Sequence, residues 1–249
     1  LVGVALVTGV SRRVGIGAAV ARRLAEAGMD LFLHSWSPHD AEQPWGADAE
    51  GPAAIVAELR ARVRVEHLSA DLANPDAPAR LLAAAESAFG RVDVLVANHA
   101  RSSTSTLEEL TAAELDLSYA VNTRATLLLV KEFAARCPGP GRVVLMTSGQ
   151  HRGPMPDELA YVASKGALHQ VTASLAAHLA PRYITVNAVD PGATDTGYAD
   201  PAGHAAVLAL EPMGRWGEPD DAARLIAWLV SDAGRWVTGQ VIVSNGGGP

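Results

Sequence analysis

Tyr161 and Lys165 stand four residues apart in a segment rich in Ala and Leu. On a helix that spacing puts both side chains on one face. A free phenol titrates at about pH 10, too high for easy proton exchange at neutral pH. A neighbouring ammonium stabilises phenolate and lowers that value, as would the positive charge of an oxidised nicotinamide. Such a tyrosine can give a proton to a carbonyl oxygen or take one from an alcohol. Alone, such a pair is usually plain helix surface. Ser148 tips the balance. It lies thirteen residues before Tyr161, just after the apolar run 143–146, and a hydroxyl there can hold the same substrate oxygen. Asn122 interrupts another helical run. It is either a surface amide or a point where a side chain or distorted backbone holds a water near Lys165 for proton relay.

A second set of residues could cradle a phosphate. Thr8 and Gly9 end an apolar run, and Gly15, Ile16 and Gly17 open a helical one. Glycine lets backbone N–H groups approach a pyrophosphate, and a helix N-terminus adds partial positive charge. A tight turn without a ligand would use the same residues, but the strand–turn–helix setting favours the first reading. Five residues separate Gly9 from Gly15, among them Ser11, Arg12 and Arg13. Adjacent arginines there are either solvated or a clamp for extra negative charge. In dinucleotide sites an acidic residue after the second strand holds the ribose 2′-hydroxyl. Here that strand ends in His34, Ser35 and Trp36, with no carboxylate before Asp40. A 2′-phosphate suits Ser35 and an arginine, so NADP(H) is expected over NAD(H).

These groups need a scaffold that brings strand ends and helix starts together. Short apolar runs at 4–7, 30–33, 63–68, 92–96, 143–146, 184–189 and 241–243 alternate with segments of helical period. The latter fall at 18–27, 52–62, 78–89, 112–136, 159–179 and 219–230. Strands apolar on both faces, joined by crossover helices, predict an α/β fold with one doubly wound (Rossmann) parallel sheet of about seven strands. No repeat or linker marks a boundary, so residues 1–249 are expected to form a single catalytic domain. Residues 35–51, with Trp36 and Trp45, exceed a usual strand-to-helix connection and should pack over the carboxyl end of the sheet.

Composition narrows the classes. With 249 residues, 49% hydrophobic and 19% charged, the chain can bury a large core, which excludes a disordered or fibrous protein. A net charge of −7 gives no general pull toward nucleic acid or an anionic membrane. The lone Cys137 excludes an internal disulfide framework and a cysteine-based zinc site, and no metal is expected. No apolar run approaches the roughly eighteen residues that cross a bilayer. Residues 1–7 carry no basic leader and read as a buried strand, so a cytoplasmic location is expected.

Across essentially its whole length the chain resembles the short-chain dehydrogenase/reductase family, within the group that includes 3-oxoacyl-carrier-protein reductases. The resemblance runs in order through Thr8-Gly9, Gly15-Ile16-Gly17, Asp71-Leu72, Asn98, Asn122, Ser148, Tyr161 with Lys165, Pro191-Gly192 with Thr196, residues 214–221, and Thr238-Gly239. It implies that Tyr161 is the acid/base and that Lys165 lowers its pKa and binds the nicotinamide ribose. Ser148 would orient the carbonyl and Asn122 would complete a proton relay. Asp71 would meet the adenine amino group with the Leu72 backbone assisting, and Asn98 would steady the sheet beside the adenosine ribose. Thr196, with the backbone near Thr194 in the turn begun by Pro191 and Gly192, would contact the nicotinamide carboxamide.

Four features depart from the family pattern. The glycine turn carries five intervening residues where the family has three. A similar expansion occurs in enoyl-carrier-protein reductases, whose Tyr-to-Lys spacing is longer than that of Tyr161 and Lys165. The usual Asn-Asn-Ala-Gly reads Ala97-Asn98-His99-Ala100. Asp190 precedes Pro191, and Asn245 replaces a common carboxylate.

For the substrate, His99, His151, Arg152 and Tyr198 are the expected contacts, with Arg152 able to meet an anionic group. Residues 197–212 would form a mobile lid, or a packed surface helix, or both. Apolar excess on 112–136 and 159–179 suggests subunit contact, and the resemblance implies a homotetramer, with a dimer as fallback. The resulting expectation is an NADP(H)-dependent oxidoreductase acting on a ketone such as a 3-oxoacyl thioester. An NAD-dependent alcohol dehydrogenase and a catalytically silent dinucleotide sensor are the rivals.

Overall fold

The structure, a computed structural model, describes residues 3–248. The first two residues of the expected N-terminal strand, Leu1 and Val2, lie outside the described residues. Seven strands, β1 (Val4–Val7), β2 (Asp30–Ser35), β3 (Val65–Ser69), β4 (Val94–Ala97), β5 (Gly141–Met146), β6 (Ile184–Asp190) and β7 (Val241–Val243), form one sheet in the order β3-β2-β1-β4-β5-β6-β7. Every neighbouring pair is parallel. The doubly wound sheet expected from the sequence is therefore present. The order reverses between β1 and β4, and a crevice opens there beyond the carboxyl ends of the strands.

Alternation along β1 explains why both faces are covered. Ala5 and Val7 face one layer, where α1 (Ile16–Glu26), α3 (Gly51–Arg60) and α9 (Pro219–Val230) bring Val20, Leu24, Ile55 and Ile226. Leu6 faces the other, packed with Leu95, Leu81 of α4 (Ala77–Phe89), Phe133 of α6 (Ala125–Arg136) and Ala176 of α7 (Leu159–Leu179). A central strand with two apolar faces cannot sit at a solvated surface. Helix ends follow local chemistry. Gly28 after α1 takes the left-handed φ of 82°, and Pro219 starts α9 with Glu218 and Asp221 in a reciprocal capping box.

Two expectations are refined. The helical run 112–136 is not one α-helix. It divides into α5 (Ala112–Ser118), a π-helical turn at Tyr119–Arg124, and α6. Asn122 sits in that turn, so the distorted-backbone reading of this residue holds. Residues 35–51 contain a short helix, α2 (Ser37–Ala41), and residues 197–212 contain α8 (Pro201–Leu208). Asp200 caps α8 by accepting from the Gly203 N–H at 2.7 Å, and α8 buries none of its side chains. No described helix is long and apolar enough to cross a membrane.

Candidate active site

A cleft of about 580 Å³ lies at the carboxyl edge of the sheet, over the β1–β4 reversal. Its lining joins the glycine turn (Gly9, Ser11, Arg12, Gly15, Ile16) to Ser148 and Tyr161 at the other end. Asp71, Leu72 and Asn98 lie along it, as do Pro191, Gly192, Thr194 and Thr196. Most of the expected site residues are thus brought to one surface.

The floor is a closed polar network. The Thr8 hydroxyl accepts the N–H groups of Asn98 (3.0 Å) and His99 (3.3 Å) and pairs with His99 Nδ1 at 2.8 Å. His99 Nε2 lies 3.0 Å from the Val121 carbonyl, so the tautomer that serves both contacts is protonated at Nε2. His34 repeats the device. Its Nδ1 accepts from the Gly9 N–H at 3.2 Å and its Nε2 donates to the Ala70 carbonyl at 2.8 Å. Burial pushes His34 down to about 4 and His99 down to about 3, so both stay neutral. The Asn98 amide donates to the carbonyls of Thr8 (3.0 Å) and Gly9 (3.1 Å).

The geometry fits a dinucleotide. Gly9 has φ +75°, and a Cβ there would lie 2.7 Å from the His99 Cα. The first turn of α1 holds no acidic residue and its N-terminus has no side-chain cap, which leaves backbone N–H groups for a phosphate. One Asp71 oxygen accepts from the Ala73 N–H at 2.8 Å, fixing a carboxylate on the cleft wall.

At the other end, Ser148 and Tyr161 line the cleft together, and burial outweighs the lowering influence of the Ser148 hydroxyl to push the phenol up to about 12. Lys165 is buried, is held down at about 8 by desolvation, and donates to the Met146 carbonyl at 2.9 Å. Its Nζ lies 5.8 Å from the Tyr161 ring centroid. The expected lowering of the tyrosine pKa by Lys165 is therefore not a property of the protein alone. Desolvation of both groups dominates, and the ammonium faces a carbonyl rather than the phenol oxygen. Asn122 braces this corner: its amide donates to the Arg101 carbonyl (3.0 Å) and the Ser164 hydroxyl (2.9 Å), and its oxygen accepts the Arg101 N–H at 2.6 Å. Ser164 in turn donates to the Tyr161 carbonyl at 2.8 Å.

Several sequence expectations are corrected. Arg13 turns out of the cleft to a bidentate pair with Asp48 at 2.8 and 2.9 Å, while Arg12 stays on the cleft wall, donating to the Thr196 carbonyl at 2.7 Å. Ser35 is buried against His67 at 2.8 Å rather than facing a phosphate. Gly17 serves close packing, since a Cβ there would sit 2.5 Å from the Gly9 carbonyl oxygen. His99 lines the cleft as a floor residue whose ring nitrogens are both engaged by the protein, which leaves neither of them free to bond substrate. His151 packs on His169 with ring centroids 4.6 Å apart, away from the cleft lining. Arg152 pairs with buried Asp190 at 3.0 Å and donates to the Gly248 carbonyl at 2.9 Å. Each of these two unusual residues thus accounts for the other, and neither awaits a ligand. Tyr198 does line the cleft.

The sequence reading passed over Glu158, His39 and Arg101, all in the lining. Glu158 was recoverable, because it stands three residues before Tyr161 at the start of the same helix. Trp45 was noticed only as part of a long loop. It meets Tyr198 edge-on with ring centroids 6.2 Å apart, joining residues 36–51 to the segment after β6.

Comparison with known proteins agrees with this geometry. Residues 9–248 match the family described as enoyl-(acyl carrier protein) reductase. The oxidoreductase YjdA of Bacillus subtilis is 41% identical, with 98% of this chain and 96% of that protein aligned. A chloroplastic NADPH-dependent aldehyde reductase-like protein of Arabidopsis thaliana is 34% identical over 98% of this chain and 93% of its own length. The crystal structure of a short-chain dehydrogenase from Burkholderia cenocepacia in complex with NADP superposes with a TM-score of 0.87 at 36% identity, covering 98% of this chain and 96% of that one. The chain belongs to the short-chain dehydrogenase/reductase family. It is an oxidoreductase of the class that interconverts alcohols and carbonyl compounds with NAD(P).

Proposed function

We propose that the protein is an NADP(H)-dependent carbonyl reductase whose substrate is a 3-oxoacyl thioester or a related ketone or aldehyde. The observation that carries this reading is the single cleft that joins the glycine turn to the Ser148–Tyr161 pair. When bound, the nicotinamide supplies or removes a hydride at its C4 position. The chain's own residues handle the oxygen and the proton. Ser148 holds the carbonyl oxygen by a hydrogen bond. Tyr161, with its phenol raised to about 12, keeps its proton at neutral pH and donates it to that oxygen. Lys165 and the Asn122–Ser164 brace position the tyrosine, and the π-helical turn at Asn122 supports the proton relay implied by the resemblance.

NADP(H) rather than NAD(H) is supported by Arg12, which lines the cleft with no acidic partner among the described residues. The cofactor named for the Burkholderia and Arabidopsis proteins agrees with it. We extend the reading to a homotetramer on the exposure of Leu115, Leu117 and Tyr119 along α5 and the π-helical turn. Oxidation of NADPH with a ketone and aldehyde panel tests the whole proposal. Tyr161→Phe should lower turnover by roughly 10³-fold while NADPH still binds. Undiminished turnover in that variant would overturn the acid assignment, and an equal rate with NADH would overturn the cofactor.

A further inference from the structure

The substrate end of the cleft has an unusual charge balance. The cations that could have met an anionic substrate are committed elsewhere. Arg152 is paired with Asp190, and Arg101 makes a bidentate contact with Glu114 at 3.1 and 2.9 Å. Arg12 lies at the glycine-turn end, bonded to the Thr196 carbonyl. Asp40, Glu42 and Asp71 also line the cleft, but one further carboxylate stands three residues from Tyr161. Glu158 lines the cleft with Ser148, Met155, Tyr161 and Tyr198.

Its position is fixed by the backbone rather than by a side-chain partner. Glu158 precedes α7, its N–H donates to the Met155 carbonyl at 3.2 Å, and it forms a parallel bridge with Ser105. Its side chain does not cap the helix, and no bond from its carboxylate is found among the described residues. It stands three residues before Tyr161, and both line the same cleft. The charge is felt at the reacting centre, since Glu158 raises the pKa of both Tyr161 and Tyr198. Burial and the neighbouring Asp157 push its own carboxyl up. A half-buried, unpaired carboxylate repels a second anion and seeks a hydrogen-bond donor.

We infer that Glu158 is a specificity-determining residue that rejects carbonyl compounds bearing a carboxylate or phosphate near the reacting group and selects those presenting a hydroxyl or ammonium donor. This rests on the carbonyl-reductase reading and names the chemistry of its substrate. A keto acid is a poor substrate on this account. A hydroxylated ketone or aldehyde is a good one.

Three aldehydes of one shape isolate the charge: 4-formylbenzoate, its methyl ester, and 4-(hydroxymethyl)benzaldehyde, each with NADPH. The wild-type protein should use the anion with kcat/KM lower than the ester by on the order of tenfold, mainly through KM. The hydroxymethyl compound should rank first. Glu158→Gln keeps the shape and removes the charge, and should bring the anion-to-ester ratio to within about twofold of unity. Asp157→Asn, at a neighbouring carboxylate outside the cleft lining, should leave the ratio unchanged.

A ratio that Glu158→Gln does not move, or that Asp157→Asn moves equally, would overturn the inference. The corresponding alcohols provide a readout independent of turnover, through competition for the NADP-loaded protein followed by thermal shift. Equal binding of 4-(hydroxymethyl)benzoate and its methyl ester by the wild type would also overturn it. Absence of turnover with every carbonyl, despite bound NADPH, would instead overturn the carbonyl-reductase reading.

Discussion

The floor and the roof of the cleft are built on opposite principles. In the floor, Thr8, His34, His99 and Asn122 are buried with their polar side-chain atoms matched by fixed partners, and the partly buried Asn98 has its amide N–H groups so matched. In the roof, residues 36–51 and 197–212 meet mainly through aromatic edges: Trp45 with Tyr198, then Tyr198 with Trp216 at 5.9 Å. Trp36 and Tyr198 remain 37% and 45% exposed, and Leu210 63%. A buried polar network is costly to leave half-satisfied, so the floor has one arrangement. Edge contacts of this kind are individually weak, and we propose that the roof opens at smaller cost than the floor. On this proposal, rigid placement of the glycine turn and an adjustable cover over it are separated in one site.

The largest test of this contrast strikes the floor through pH. His34 and His99 are held at about 4 and about 3 in the folded protein, against about 6.5 for a free imidazole. Between those limits the unfolded chain binds more protons than the folded one. The stability they contribute is therefore full above pH 6.5 and is lost as pH falls. Together they should remove about 4 kcal/mol between pH 7 and pH 5, read by urea unfolding. His99→Asn should be the less stable protein at pH 7.5, by about 1–2 kcal/mol for its lost bonds, and the gap to wild type should close toward pH 5. A gap that stays constant with pH would mean that His99 is not a neutral floor residue.

This floor was only partly legible in the sequence. Sheet and helices were, because strands buried on both faces and helices of regular period write themselves into the pattern of apolar residues. The π-helical turn did not, since five-residue bonding over Tyr119–Arg124 leaves the apolar spacing of a single long helix almost unchanged. His99 looked like a loop residue free to meet substrate, because its partners Thr8 and Val121 are distant in the chain. The pairing of Arg152 with Asp190 was hidden for the same reason. Tyr161, Ser148 and the glycines were readable because their chemistry demands local spacing at strand ends and on one helical turn.

A smaller effect distinguishes the two arginines where floor meets roof. Arg12 lies over the Trp45 ring at 5.8 Å and faces the cleft, whereas Arg13 is engaged by Asp48 and, at 3.7 Å, by Glu50. Arg12→Ala should weaken NADPH binding by roughly tenfold and NADH binding far less, because only the former carries the additional phosphate. Arg13→Ala removes an exposed surface pair and should change either affinity by less than about twofold. Fluorescence titration of both cofactors against both variants measures this. Equal loss in the two variants would return Arg13 to the cofactor site.

The smallest effect belongs to the roof itself. Trp45→Ala deletes the ring that bridges Arg12 and Tyr198, the contact joining the loop after β2 to the segment after β6. An edge-to-face aromatic contact contributes about 0.5–1.5 kcal/mol, and Trp45 is only partly buried, so the cost falls at the lower end. The cofactor should therefore dissociate about threefold faster, with unfolding in urea nearly unchanged, because neither half of the sheet core touches this ring. Stopped-flow release of NADPH would measure the first and equilibrium unfolding the second. A large loss of stability with unaltered release would show that Trp45 belongs to the framework, and the division between a fixed floor and a movable roof would then be drawn in the wrong place.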